Sequence, residues 1–142
     1  MRKGALKIVA GSDPAAGVEI SETVTAAKYW KLLAVKFTLV TDATVANREV
    51  DLILDDGANE FCRIAPTVVQ TASLTLHYSW AIGLQQNSFL PLTASPKIAP
   101  LPDIVLGPGF RVRTTTQGIV AGDNFSAPVL YVVQFDGPPD LD

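Results

Sequence analysis

From Tyr29 to Gly57 apolar and polar positions alternate with a period of two, interrupted once. Val35, Phe37 and Leu39 fall on one face and Lys36 and Thr38 on the other, the pattern of a half-buried strand. Trp30 and Leu32 have the opposite parity, with Leu33 and Ala34 between the two sets, so a bulge at that point brings all five large residues onto the core face. The Val, Phe and Thr content of the second half argues against a helix over Ala26 to Val40, leaving one short turn at most in Ala26 to Leu33. Thr41 to Asn47 is rich in residues that bond their own backbone in turns. Val50, Leu52 and Leu54 then alternate with Asp51 and Ile53, and Asp56-Gly57 is a hairpin signal that predicts a return strand over Glu60 to Ile64.

The same pattern recurs on either side. Val18 to Thr25 alternates and reads as an edge strand, with Glu19 and Glu22 discouraging stray pairing. Within Thr67 to Ile82, Leu74, Leu76, Tyr78 and Trp80 share one parity and Ser73, Thr75, His77 and Ser79 the other. Asp103 to Leu106, Phe110 to Thr116 and Phe125 to Phe135 complete the set. The last is apolar on both faces and is therefore expected to be central or covered. Gly83 to Pro102 holds Pro91, Pro96, Pro100 and Pro102 and reads as a long loop or a series of edge pieces.

About eight strands with Gly and Pro turns predict an all-β protein, a two-sheet sandwich of jelly-roll type, with an immunoglobulin-like sandwich as the alternative. The expected divisions are an extended N-terminal arm over residues 1–16, which can include a short strand from Leu6 to Ala10, a β-sandwich domain over 17–136 and an acidic, Pro-containing tail over 137–142. A length of 142 residues suits one domain with a real core.

Composition adds three constraints. Hydrophobic residues make up 48% of the chain and charged ones 18%, which is apolar enough to suggest surface buried against partners. The net charge of −3 argues against a nucleic-acid binder. No stretch reaches the roughly 20 apolar residues of a membrane helix, and no membrane association is expected.

Catalytic parts are sparse. His77 is the one histidine and Cys62 the one cysteine, too few for a usual zinc site. Asp51, Asp55, Asp56 and Glu60 cluster around the hairpin turn without the spacing of a calcium loop. No G-x-S-x-G nucleophile motif occurs, and Gly107-Pro108-Gly109 is followed by no phosphate-loop Lys. A sandwich-fold hydrolase or lyase built on Asp55 or Asp123 is the weakest of three readings; no enzyme activity and no cofactor are expected. The residues that point to a partner are Arg2, Lys3 and Lys7 in the arm, Phe89, Leu90 and Leu92 in the Pro-rich loop, and Arg111 and Arg113, which share the outward parity of their strand. Arg48 is a further candidate of the same kind.

Three segments carry a family resemblance: the Trp30 to Thr41 stretch, Ala-Thr-Val-Ala-Asn-Arg from Ala43 to Arg48, and Gly-Pro-Gly-Phe-Arg-Val-Arg-Thr from Gly107 with its Ala-Gly-Asp loop at Ala121 to Asp123. Together they resemble the small tailed-bacteriophage virion proteins of the capsid decoration, or cement, type. The likeness covers about three-quarters of the chain, and its motifs are structural. It implies a β-sandwich that sits on the outside of a capsid, bound to the major capsid protein and self-associated as a homotrimer. It implies location on the virion after synthesis in the host cytoplasm. A tail, baseplate or head-fibre protein with an adhesive or carbohydrate-binding role is the second reading.

Overall fold

The computed structural model describes residues 3–66, 68–83 and 97–140. Among these the chain forms eleven strands and no helix: β1 (Ala5–Ala10), β2 (Ser21–Thr23), β3 (Tyr29–Val40), β4 (Glu49–Asp55), β5 (Glu60–Ile64), β6 (Thr75–Ile82), β7 (Lys97–Leu101), β8 (Val105–Leu106), β9 (Arg111–Gln117), β10 (Asn124–Phe125) and β11 (Val129–Phe135). One sheet runs β1-β11-β3-β6-β7, with β8 and β10 also paired to β3; the other runs β2-β9-β4-β5. When the eight principal strands β1 to β6, β9 and β11 are lettered B to I in chain order, the sheets read B-I-D-G and C-H-E-F. That is the strand order of a jelly roll, the all-β sandwich anticipated from the alternation.

β3 is the spine. Its partners β11, β6, β8 and β10 are all antiparallel to it. The register with β11 slips so that Val132 faces Leu32 and Tyr131 faces Ala34, leaving Leu33 without an opposite residue. This is the anticipated bulge, and Trp30, Leu32, Val35, Phe37 and Leu39 all turn into the core because of it. From the opposite sheet Val50, Leu52, Leu54 and Val112 meet them. Phe37 is the aromatic hub. Its ring centroid lies 5.5 Å from Tyr78 and 5.4 Å from Trp80, both stacked, and 5.4 Å from Phe125, edge-on.

Several expected elements are finer in the structure. The arm contains a full strand: β1 pairs with β11 over six residues and is the first strand of the jelly roll. The reach from Val18 to Thr25 is only three residues of strand, since Glu19 turns to Thr114 and Thr116 of the facing strand. The long segment before Ile82 breaks at Ser73, whose φ of 58° cannot continue a strand. The Pro-rich stretch ends in β7, parallel to β6, with Pro100 tolerated because that strand lies at the sheet edge. The final strand divides before Val129, where Pro128 interrupts it.

Replacing Phe37 by Ala should remove three ring contacts and leave a cavity, at a cost of about 3–5 kcal/mol in urea unfolding, while Phe37→Leu should cost clearly less.

Candidate functional site

Polar side chains gather in two places, and both are ties between strands. The first is a clasp around Arg48, which is fully buried together with Asp123. The Arg48 Nε donates to Asp123 Oδ2 at 2.9 Å, and Nη2 donates to Asp123 Oδ1 at 2.9 Å and to Asp42 Oδ1 at 3.1 Å. Nη1 donates to the carbonyls of Thr44 and Ala46 at 3.0 and 2.9 Å. All five guanidinium N–H groups are thereby satisfied, the condition for keeping such a charge out of water. Asp123 also accepts from the backbone amides of Asp42 and Val120, each at 3.0 Å. Burial alone would raise its carboxyl; the bonds from Arg48, Val120 and Asp42 outweigh it and hold the group below its ordinary value.

The clasp is tight because glycine permits it. Gly118 has a φ of +78°, and a Cβ there would run into the carbonyl of Asn47. On its other side the Arg48 backbone exchanges hydrogen bonds with Gln70 at 3.0 and 2.8 Å, and Gln70 accepts the Tyr78 hydroxyl at 2.8 Å. Arg48 is thus enclosed by the folded chain, and it does not present itself to a partner as its sequence position suggested. The five donors of a guanidinium, once enclosed by loop carbonyls and a carboxylate, leave nothing to offer outward.

The second cluster lies on the outer face of the four-stranded sheet. Arg111 Nε donates to Asp55 Oδ1 at 2.8 Å and Arg113 Nε to Asp55 Oδ2 at 2.6 Å. The Asp55 side chain is 1% exposed, those of the arginines 36% and 27%. Burial would raise the Asp55 carboxyl; the two arginines and the Gly57 amide reverse this and bring it to about 2. Next to them Arg63 holds Glu60 through two bonds, at 2.7 and 2.8 Å, and Asp51 at 3.0 Å. Ile53 shares this face, opposite Arg113 and Arg63, and is fully buried. Arginine stems provide cover of this kind while their heads stay wet.

The acidic cluster of the sequence is therefore divided among three tasks. Asp55 holds Arg111 and Arg113, Asp51 and Glu60 hold Arg63, and Asp56 accepts from the Ala58 and Asn59 amides within the turn at 2.9 and 2.7 Å. No metal-ligand cluster occurs among the described residues. His77 Nδ1 lies 2.8 Å from Thr38 Oγ1 across the strand pair, on an open groove of about 310 Å³. Cys62 is a half-buried free thiol, pushed up by burial and by Glu60.

Of the expected partner residues, Lys3 and Lys7 are exposed at the β1 edge, far in chain position from Arg111 and Arg113 on the other sheet. Arg2, Phe89, Leu90 and Leu92 lie outside the described residues. A face that the sequence reading passed over adjoins Lys3 and Lys7. Leu6 and Ile8 of β1 are 70% and 62% exposed, opposite Val133 and Tyr131 of β11 on the outer side of the larger sheet. Phe135 continues this row and lies against Gly4, where a Cβ would strike its ring. Leu6 and Ile8 were visible as alternate apolar positions, but only the pairing with β11 shows that they point outward. Among the described residues no helix is long and apolar enough to cross a membrane.

No family model matches the chain. No curated protein matches it either. Among solved structures, a chain from the structure of infectious bursal disease virus, Gx strain, aligns with a TM-score of 0.37 and 12% identity, over 95% of this chain and 37% of its own length. This chain thus spans little more than a third of that neighbour, and a likeness of that size carries no argument about role.

Arg48→Met should leave Asp123 buried and unpaired, and lower stability by about 3–5 kcal/mol in urea titration. Asp55 gives a pH dependence of defined sign. Its folded value of about 2 lies below the ordinary 3.8, so its contribution is complete above the ordinary value and is lost as pH falls from there towards 2. Asp55→Asn should flatten the fall of the urea midpoint over that acid window and leave the remaining profile unchanged in shape.

Proposed function

We propose that this chain is a non-enzymatic virion structural protein of a tailed bacteriophage, which coats the outside of a capsid and reinforces it by binding the lattice of the major capsid protein. The resemblance of the Trp30–Thr41, Ala43–Arg48 and Gly107–Asp123 segments to decoration proteins supports the reading. So does the use of those segments here. The second and third meet in the Arg48–Asp123 clasp, and the third supplies Arg111 and Arg113 to Asp55. Asp55 and Asp123, the carboxylates weighed above for acid–base chemistry, are thus engaged in holding strands together.

The observation that carries the proposal is the outer apolar row of Leu6, Ile8, Tyr131, Val133 and Phe135, in which Leu6 and Ile8 are the most exposed large apolar side chains of any described strand. Burying such a row on a capsid surface supplies about 25 cal/mol for each Å² removed from water. The contact is modest for one copy and large for a lattice of copies, since avidity multiplies weak sites. Self-association, as the homotrimer implied by the resemblance, belongs to the same proposal.

The test is co-sedimentation with expanded, undecorated capsids. The native chain should saturate them, and a Tyr131→Asp/Val133→Asp variant, checked to be folded, should bind at least about tenfold more weakly, since 1.4 kcal/mol is a factor of ten. Equal binding by the two proteins would remove this face from the mechanism. Absence of binding by the native chain would end the capsid reading.

A further inference from the structure

Among the described residues the sheets present four lateral edges, and three carry devices against further pairing. β2 is three residues long and contains Glu22. β5 carries Glu60 and Arg63 and has a register shift beside Asp55. β7 contains Pro100. β1 differs: it is six residues long, free of proline and bulge, and its sequence is ALKIVA with Lys7 as the one charge. Edges of that composition are templates for another strand.

Which groups the edge offers follows from one bond. The Gly11 amide donates to the Pro128 carbonyl at 2.8 Å, in register with the β1–β11 ladder. In an antiparallel pair, bonded positions alternate. Ala5, Lys7 and Val9, with the parity of Gly11, therefore direct their backbone groups at β11. Leu6, Ile8 and Ala10 direct theirs outward. The residues whose backbone N–H and C=O have no strand partner among the described residues are thus the ones whose apolar side chains are exposed.

We infer that β1 pairs antiparallel with β1 of a second copy, about a two-fold axis at Ile8. Three features select that occupant. The edge is polar in charge: Lys3 stands at its start, and Asp13 and Glu22 at its end, where Glu22 accepts from the Ser12 amide at 2.7 Å. Antiparallel pairing sets the basic start of one copy against the acidic end of the other, with Lys3 in register with Asp13 of the second copy. Parallel pairing sets like against like. Second, Ile8 faces Ile8 and Leu6 faces Ala10 in this register, all outward-bonding positions, which gives a ladder of six hydrogen bonds by the alternation rule. Third, Lys7 faces Val9. The neighbouring register centred on Lys7 sets two ammonium groups directly opposite, an arrangement that costs stability. Lys7 thus selects a register, and the outer rows of Leu6, Ile8, Tyr131 and Val133 join across the axis.

This pairing does not depend on the capsid reading and holds or fails without it. It has two-fold closure, so one pair of copies completes it. The full chain should show twice the mass of Ile8→Pro in light scattering over a concentration series. Proline at position 8 removes an outward donor and no bond to β11. Register is read separately in a Cys62→Ser background. Ile8→Cys should form an intermolecular disulfide on mild oxidation, because directly opposed bonded residues are about 5.5 Å apart at Cα. Lys7→Cys should not, because its counterpart lies on a diagonal, roughly 7–8 Å away. Equal masses for the native chain and Ile8→Pro, which would include the case of an edge that takes a strand of another protein, overturn the inference. So does cross-linking at Lys7→Cys as fast as at Ile8→Cys.

Discussion

A charge removed from water must be met on every side, and the Arg48–Asp123 pair meets that condition with nine hydrogen bonds distributed over three connections: five donated by the guanidinium, two more accepted by Asp123 from backbone amides, and two exchanged by the Arg48 backbone with Gln70 of the β5–β6 connection. The pair joins the β3–β4 connection to the β9–β10 connection. Those connections carry the chain between the two sheets, so one side chain ties together two crossings at that end. Such a pair adds little net stability over an apolar filling of the same shape, but it tolerates few alternative geometries. Its value to the fold is that the loops have one way to close.

Periodicity made most of the sandwich legible. The alternation in β3, β4, β6 and β9 assigns the core face correctly, and even the bulge at Leu33 follows from a change of parity between Leu32 and Val35. What alternation cannot carry is pairing. β1 was readable as a short strand within an arm, but its place beside β11 depends on a partner more than a hundred residues away. β7 falls in the stretch that read as a long loop or a series of edge pieces, and Pro100 is acceptable in it because it lies at an edge. The division of Phe125 to Phe135 at Pro128 is the opposite case, a proline whose effect the apolar run on both sides concealed.

The polar residues were legible as types and not as pairs. Arg111 and Arg113 share a parity in the sequence, and the structure places both on one carboxylate, Asp55, more than fifty residues earlier. The acidic cluster around the hairpin looked like a single site because its members are close in sequence. Strand geometry separates them, since Asp51 and Asp55 lie at opposite ends of one face of β4 and Asp56 is in the turn. Arg48 looked like a surface arginine. The signal that it is buried was its position two residues before Val50 and in parity with Val50, Leu52 and Leu54, among turn-forming Asp, Thr and Asn residues able to supply acceptors.

The two outer faces differ in a way that assigns them different tasks. On the four-stranded sheet Arg63, Arg111 and Arg113 answer Asp51, Asp55 and Glu60, three charges against three, and Ile53 is sealed beneath them. A face whose charges are already matched has little left for a partner, because a new ion pair there must first break an existing one. On the larger sheet Lys36 lies over the Tyr131 ring, 5.4 Å from its centroid, and the β1 strand beyond it has no such cover. Leu6 and Ile8 are exposed and the one charge between them, Lys7, has the other parity. Jelly rolls commonly have solvated outer faces, and the free energy of leaving two large aliphatic side chains in water is recovered only by contact. The asymmetry distinguishes the two faces: the charges of the four-stranded sheet are matched within the chain, and the apolar side chains at the β1–β11 end remain exposed.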